Sequence, residues 1–162
     1  MPEAQLDRFL MKLLVEPPTS QELKEILNRT TGSNVPEAQT VFEESKAVAY
    51  IESMKGLVRK VVVADAMYEV LCRMMAALTP GSNYATDTVG RYVRFGPGPR
   101  GAQAVIMASK VNALLDGRIN VSYDDIRELI VPALRHRLIL NFQAEADAVT
   151  SDQIVEEVRD AK

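Results

Sequence analysis

The arrangement in this sequence that is best suited to chemistry is an arginine directly after a proline at the predicted start of a helix. Pro99 fits the first helical position because its nitrogen carries no hydrogen, and Gly98 precedes it as the cap. The free amides and the positive end of a helix dipole attract anions, and Arg100 can hold a phosphate through two hydrogen bonds. A surface arginine in an ordinary first turn has the same spacing, so the pattern alone leaves both interpretations open.

A helix that positions such an arginine must also pack one of its faces against a hydrophobic core. Gly117 follows Asp116 as a stop signal, which predicts a helix of about four to five turns. Apolar residues recur at helical spacing along it and predict one buried face. These residues are Val105, Ala108, Val111, Ala113, Leu114 and Leu115.

Other helices are predicted from capping patterns and apolar periodicity. Thr19, Ser122 and Thr150 each precede by three residues a side chain that can complete a capping box, so each predicts a helix start. Two further helices are predicted from about Ser45 to Gly56 and from about 65 to 78. These helices supply most of the predicted core.

Three stretches lack a helical pattern. Residues 10–15 form an apolar run before two prolines, which predicts a strand that has no partner and belongs to a neighbouring domain. Residues 61–63 predict a short strand or an extended connector, and residues 84–95 predict an irregular link. The predicted fold class is all-α, a small helical bundle preceded by a short helix and a strand.

Composition narrows the possible partners. The chain has 162 residues, of which 47% are hydrophobic and 25% charged, as is typical of one soluble domain or of one domain and a fragment. A net charge of -3 with scattered Lys and Arg argues against a nucleic-acid partner. No apolar run approaches a membrane span and no signal sequence is evident, so a cytoplasmic protein is predicted.

The other reactive residue types are predicted to be structural. Cys72 lies in an apolar helical pattern and is predicted to be buried, and the acidic pair Asp124 and Asp125 is predicted to be solvated charge at a helix cap. His136 is the single histidine, so a metal site or a histidine-based triad has no second member. The chain also lacks a phosphate-binding loop motif, so independent catalysis is not expected.

Four segments in combination resemble the C-terminal third of MoxR-type AAA+ ATPases. The first is the octapeptide Pro-Glu-Ala-Gln-Leu-Asp-Arg-Phe at residues 2–9, and the second is the Gly-x-x-Pro-Arg helix start that contains Arg100. The others are Ala-Leu-Leu-Asp-Gly-Arg at 113–118 and Val-Pro-Ala-Leu-Arg-His-Arg-Leu at 131–138. The resemblance spans nearly the whole chain.

The resemblance implies roles for two arginines. The arginine of Leu-Asp-Arg-Phe is the family's arginine finger, which implies that Arg8 reaches the γ-phosphate held by the next subunit. The family's Gly-Ala-Ser-Pro-Arg-Ala carries the sensor-2 arginine of the lid, which implies that Arg100 contacts phosphates of its own subunit. Here Pro97, Gly98 and Gly101 replace the family's Ala, Ser and Ala. Glycine offers no hydroxyl to the first-turn amides, so the cap is weaker.

The resemblance also implies a domain organisation and partners. Residues 1–16 would be the end of the α/β nucleotide-binding core and residues 17–162 the helical lid. The rest of the AAA+ core, with its Walker A and Walker B motifs, would lie upstream of Met1 in a longer protein. That protein would use ATP and Mg²⁺ and form a homo-oligomer, expected to be a hexamer, that acts on partners with von Willebrand A domains. The present chain would not hydrolyse ATP alone.

Two other functions are compatible with parts of the sequence. A stand-alone helical interaction module would keep the lid shape without nucleotide chemistry, and Arg135 and Arg137 would then serve a protein surface. A winged-helix DNA-binding domain is disfavoured by the mild acidity and by the lack of a basic recognition helix.

Overall fold

The structure is a computed structural model that describes residues 3–33 and 37–161. The chain divides into two compact units. The larger unit contains the described residues as far as Lys12 together with those from Lys55 onward, and the smaller unit runs from Leu13 to Met54. The predicted boundary at residue 16 concerns family domains rather than compact units, and it stays a prediction.

The described residues are mostly helical, which confirms the predicted fold class. No helix among them is long and apolar enough to cross a membrane. In chain order the elements are α1 (Glu3–Leu6), α2 (Ser20–Thr31), α3 (Glu44–Lys60), α4 (Asp65–Ala77), α5 (Asp87–Tyr92), β1 (Val93–Phe95), α6 (Pro99–Leu115), α7 (Tyr123–Leu134), β2 (Ile139–Leu140), α8 (Phe142–Ala146) and α9 (Ser151–Asp160).

The core of the larger unit lies where α6, α7 and α9 pack together with α4. The capping boxes predicted at Ser122 and Thr150 are both present and begin α7 and α9. Cys72 is exposed on α4, so the prediction that it is buried is wrong, because the apolar face of this helix turns Leu71 and Met74 inward instead. The largest fully buried side chains are Leu78, Ile126, Ile130, Leu134, Ile154, Val89, Val105 and Val155.

Residues 87–95 form a short helix and a strand, which corrects the irregular link predicted over 84–95. The hydroxyl of Thr86 accepts a hydrogen bond from the amide of Val89 and caps α5. β1 follows at once and pairs antiparallel with β2, with Val93 opposite Leu140. A strand of three residues is too short to show an alternating pattern in the sequence. Its partner β2 also lies far away along the chain, so no local turn signal indicates the pairing.

The strand predicted over residues 10–15 is not formed. In the larger unit the amide of Lys12 donates to the carbonyl of Pro132 at 2.9 Å, and the residues around it have no regular ladder. At residues 61–63 the connector alternative is confirmed, since Val62 makes a single parallel bridge to Asn120. Apolar runs of this length predict a strand only where a neighbouring strand can supply hydrogen bonds.

In the smaller unit the predicted capping box of Thr19 is present and begins α2. The apolar side of this helix is about half exposed, at 46% for Leu23 and 50% for Leu27. The helix predicted from Ser45 to Gly56 is α3, which continues to Lys60. Helical periodicity correctly predicted these helices, but periodicity does not establish what covers their apolar sides.

Candidate functional site

The helix predicted from Pro99 begins and ends as expected. Gly98 is the cap in an extended conformation, with φ -80° and ψ -177°, and Pro99 occupies the first turn of α6. The helix ends at Leu115, and Gly117 then takes a left-handed conformation with φ 72°. Gly98 makes no side-chain cap hydrogen bond, as its lack of a hydroxyl predicts.

Arg100 lies in the first turn of α6 with its guanidinium largely accessible. Its side chain is 56% exposed, and its Nη1 lies 3.8 Å from Oδ2 of Asp7. This distance is longer than a charge-assisted hydrogen bond, so the pair is weak and largely hydrated. The guanidinium therefore remains available to a stronger anion.

Arg8 and Arg100 line the same cleft, although they lie far apart in the sequence. The cleft is open and holds about 350 Å³. Two guanidinium-bearing side chains beside the start of a helix make its mouth electropositive, and Asp7 is the acidic residue among its lining residues. The other lining residues are Leu10, Gln103, Ala104, Met107 and Arg137.

Arg137 is buried beneath this cleft, with a side chain only 3% exposed. Its Nε donates to Oδ1 of Asp7 at 3.1 Å, and its Nη2 donates to the carbonyls of Asp7 and Phe9 at 2.8 and 2.7 Å. Its Nη1 donates to the carbonyls of Leu10 and Ala133. This burial contradicts the predicted role of Arg137 on an interaction surface.

Arg135 and His136 hold neighbouring parts of the same segment. Arg135 pairs with Asp152 at 3.0 Å and donates to the carbonyl of Lys12 at 3.3 Å, with a side chain 15% exposed, so it also is engaged within the chain. Nε2 of His136 lies 3.1 Å from the carbonyl oxygen of Phe9. Burial lowers the pKa of His136, which favours the neutral imidazole. These contacts give His136 the structural role predicted for it.

Gly101 allows the first turn of α6 to pack closely on α7 and on the residues that follow it. A Cβ at this position would lie 2.8 Å from Cδ2 of Leu134 and 3.3 Å from Cδ of Arg137. Leu134 is fully buried, so it has little room to move away. The glycine that replaces the alanine of the resembled motif thus brings the turn of Arg100 against the stem of Arg137.

A second charged cluster, which the sequence did not reveal, lies at the other end of α6. Asp125 was predicted to be solvated, but its side chain is 1% exposed and accepts two hydrogen bonds from Arg118, at 2.6 and 2.8 Å. The Arg118 guanidinium holds the pKa of the Asp125 carboxyl well below its usual range. The capping box of α7 was the available signal, because its acidic third residue is Asp125.

The described residues contain no group of three His, Cys, Asp or Glu side chains that could hold a metal ion. The electropositive cleft is therefore the candidate site that the described residues support best. Its chemistry is that of anion binding, since both of its exposed charged donors are guanidinium groups.

The chain is similar in sequence to a known domain family and to several known proteins. Residues 86–158, from the cap of α5 into α9, match the family model described as the AAA lid domain. The chain is 31% identical to the chaperone MoxR1 of Mycobacterium tuberculosis, over 98% of this chain and 41% of that relative. It is 26% identical to the protein MoxR of Paracoccus denitrificans, over 87% of this chain and 44% of that relative.

A solved structure agrees with these relatives. The chain superposes on a candidate ATPase of Cytophaga hutchinsonii with a TM-score of 0.85 and 25% identity, over all of this chain and 48% of the other. The chain thus spans less than half the length of the relatives it matches. Residues 86–158 accordingly resemble an AAA lid domain, and the chain is similar to the lid region of MoxR-type AAA+ ATPases.

Proposed function

We propose that this chain serves as the lid region of an ATP-driven, chaperone-like AAA+ assembly, in which Arg100 is the sensor-2 arginine and Arg8 the arginine finger. The observation that carries the proposal is that both side chains line one open cleft at the start of α6. A triphosphate is the anion that best matches two guanidinium groups and a helix N-terminus.

The single cleft refines the roles that the family resemblance implies. That resemblance assigns Arg8 to a nucleotide on the next subunit and Arg100 to a nucleotide on its own subunit. Because both line one cleft, we place them on one triphosphate, which the AAA+ core of the neighbouring subunit would hold. Two planar cations on the same phosphate group neutralise more of the charge that develops during phosphoryl transfer than either does alone.

The chain's own residues supply binding and orientation in this proposal. Gly98 and Pro99 begin α6, so the first turn that carries Arg100 lies at the positive end of the helix dipole. The long contact between Arg100 and Asp7 is readily exchanged for a phosphate contact, because it is weak. A contact that exists only with nucleotide favours one arrangement of the lid over another.

ATP and Mg²⁺ would be held mainly by an AAA+ core, and ATP supplies the phosphoryl group that is transferred to water. The cleft fits a phosphate because its two exposed arginines are not consumed by short ion pairs. An arginine finger that acts across a subunit boundary requires an oligomer, and we extend the proposal to a homo-hexamer. We further propose that this assembly acts on client proteins that carry von Willebrand A domains.

The test is ATP turnover in the full-length protein that carries this chain. Arg100→Ala and Arg8→Ala should each lower kcat, and Arg8→Ala should do so by about a thousandfold if it acts as a finger. Arg94→Ala is the matched control, because Arg94 is an exposed arginine of the same unit outside the cleft. Wild-type turnover in both cleft variants would favour a stand-alone interaction module instead.

The chain by itself provides a second test. We expect no steady ATP hydrolysis and only weak nucleotide affinity, because the cleft supplies two of the several phosphate ligands that a hydrolase needs. Purified material assayed for phosphate release would measure this. Sustained hydrolysis that survives repeated purification would contradict the proposal that an AAA+ core must supply the other phosphate ligands.

A further inference from the structure

The guanidinium of Arg137 uses all five of its hydrogen-bond donors within the chain. Four of the acceptors belong to residues 7–10, which follow α1 without regular structure, and the fifth belongs to the last turn of α7. The four acceptors are Oδ1 and the carbonyl of Asp7, and the carbonyls of Phe9 and Leu10. A saturated guanidinium of this kind has no donor left for a ligand.

The stem of Arg137 contacts the other half of the cleft. Its Cδ would lie 3.3 Å from a Cβ at Gly101, so it packs against the first turn of α6, directly beside Arg100. One buried side chain therefore touches the segment that carries Arg8 and the turn that carries Arg100. The segment is also held by the Lys12 amide on the carbonyl of Pro132, by His136 Nε2 at the carbonyl of Phe9 and by Arg135 on the carbonyl of Lys12.

We infer that Arg137 is a positioning residue that holds Arg8 and Arg100 on one cleft so that a single anion contacts both. The inference rests on the proposed function for its consequence, but the positioning itself is a property of the unliganded chain. Arg137 acts through the backbone of residues 7–10, because its own donors are already used.

Lysine cannot replace this arginine. A lysine ammonium places three donors on one atom, whereas the five acceptors surround a planar fork. Arg137→Lys keeps the positive charge and most of the apolar stem but loses the contacts that fix residues 7–10. Arg118→Lys is the matched control, because Arg118 likewise pairs with an aspartate through its guanidinium but lies at the opposite end of α6.

The first experiment follows the Nε–H NMR signals of Arg8 and Arg100 while inorganic pyrophosphate is added to the chain. In the wild type and in Arg118→Lys, both signals should shift with one apparent dissociation constant. In Arg137→Lys the Arg100 signal should still respond, while the response of Arg8 should weaken at least threefold. A joint response with the wild-type constant in Arg137→Lys would overturn the inference.

The second experiment needs no ligand and separates this inference from the proposed function. Exchange of the Lys12 amide hydrogen reports docking of the segment, and exchange of the Ile130 amide within α7 reports stability of the unit. In Arg137→Lys the Lys12 amide should exchange at least tenfold faster relative to Ile130. An unchanged ratio overturns the inference, whereas a wild type that does not respond to pyrophosphate counts against the proposed function alone.

Asp7→Ala provides the test if Arg137→Lys does not fold. It removes one of the four acceptors of the segment at a position that is already 37% exposed, so the core is preserved. We expect the Lys12 amide to exchange about threefold faster relative to Ile130. An unchanged exchange ratio in Asp7→Ala would overturn the inference in the same way.

Discussion

The two ends of α6 both carry an arginine–aspartate cluster, but only the N-terminal one leaves an arginine available to a ligand. At the C-terminal end, both oxygens of Asp125 accept from Arg118, and the carboxylate also accepts from the amide of Ser122 and the side chain of Asn112. The Asp125 carboxylate is buried, and Arg118 is held both by it and by exposed Asp116, so this arginine is engaged within the chain.

At the N-terminal end one carboxylate is divided between two arginines. Oδ1 of Asp7 accepts from buried Arg137 at 3.1 Å, while Oδ2 lies 3.8 Å from exposed Arg100. Arginine and aspartate thus form a purely structural ion pair, here called the C-terminal lock, where the carboxylate of Asp125 is buried and binds Arg118 through both oxygens. Where the carboxylate is shared and partly exposed, one arginine remains weakly paired.

The largest expected effect comes from breaking the C-terminal lock. Asp125→Ala should lower the free energy of unfolding by about 3 kcal/mol, because it leaves Arg118 without its main partner and removes the acceptor of the Ser122 amide in the capping box of α7. Urea unfolding followed by circular dichroism measures the change. Asp124→Ala is the control, since this exposed neighbour should cost at most about 0.5 kcal/mol. Equal losses of unfolding free energy in the two variants would show that the buried Asp125–Arg118 pair contributes no more than an exposed carboxylate does.

The pH dependence of stability sharpens the same contrast. The pKa of Asp125 is lowered in the folded chain, chiefly by Arg118, so its stabilising contribution is complete above the unfolded pKa of about 3.9 and is lost as the pH falls below it. Between pH 4 and pH 2 the wild type should lose on the order of 2 kcal/mol more than Asp125→Asn. Urea midpoints measured at several pH values test this. Parallel curves for the two proteins would show that Asp125 is not the group responsible.

Gly101→Ala tests the close packing at the N-terminal end. Alanine stabilises a helix by about 1 kcal/mol relative to glycine. A Cβ 2.8 Å from Cδ2 of buried Leu134, however, should destabilise the fold by about 1–3 kcal/mol through overpacking. We expect a net loss of about 1 kcal/mol in the free energy of unfolding. Gly90→Ala in α5 has open space around the new methyl group and should be neutral or stabilising. A Gly101→Ala protein as stable as Gly90→Ala would show that the turn tolerates the methyl group.

The smallest expected effect concerns the shared carboxylate. Asp7→Asn keeps an oxygen for Arg137 but removes the negative charge that faces Arg100. Affinity of the chain for inorganic pyrophosphate should rise about two- to fivefold, in line with the strength of an exposed ion pair. Calorimetric or NMR titration measures this. Asp87→Asn removes the same charge from an exposed site outside the cleft, and an equal gain there would indicate a general charge effect.

Local signals in the sequence predicted much of the fold. The capping boxes at Thr19, Ser122 and Thr150 were all confirmed, because a cap depends on residues only three positions apart. The exposure of Cys72 and the burial of Asp125 were missed. Both depend on which neighbouring element covers a helix face, and the period of that helix carries no such information.

The sequence by itself determined that α6 begins at Pro99 with Arg100 in its first turn, because helix initiation depends on a few adjacent residues. Only the tertiary structure brought Arg8 to the same cleft and buried Arg137 beneath it. The reason is physical: the five acceptors around Arg137 come from two distant segments, and only the folded chain brings them to one guanidinium.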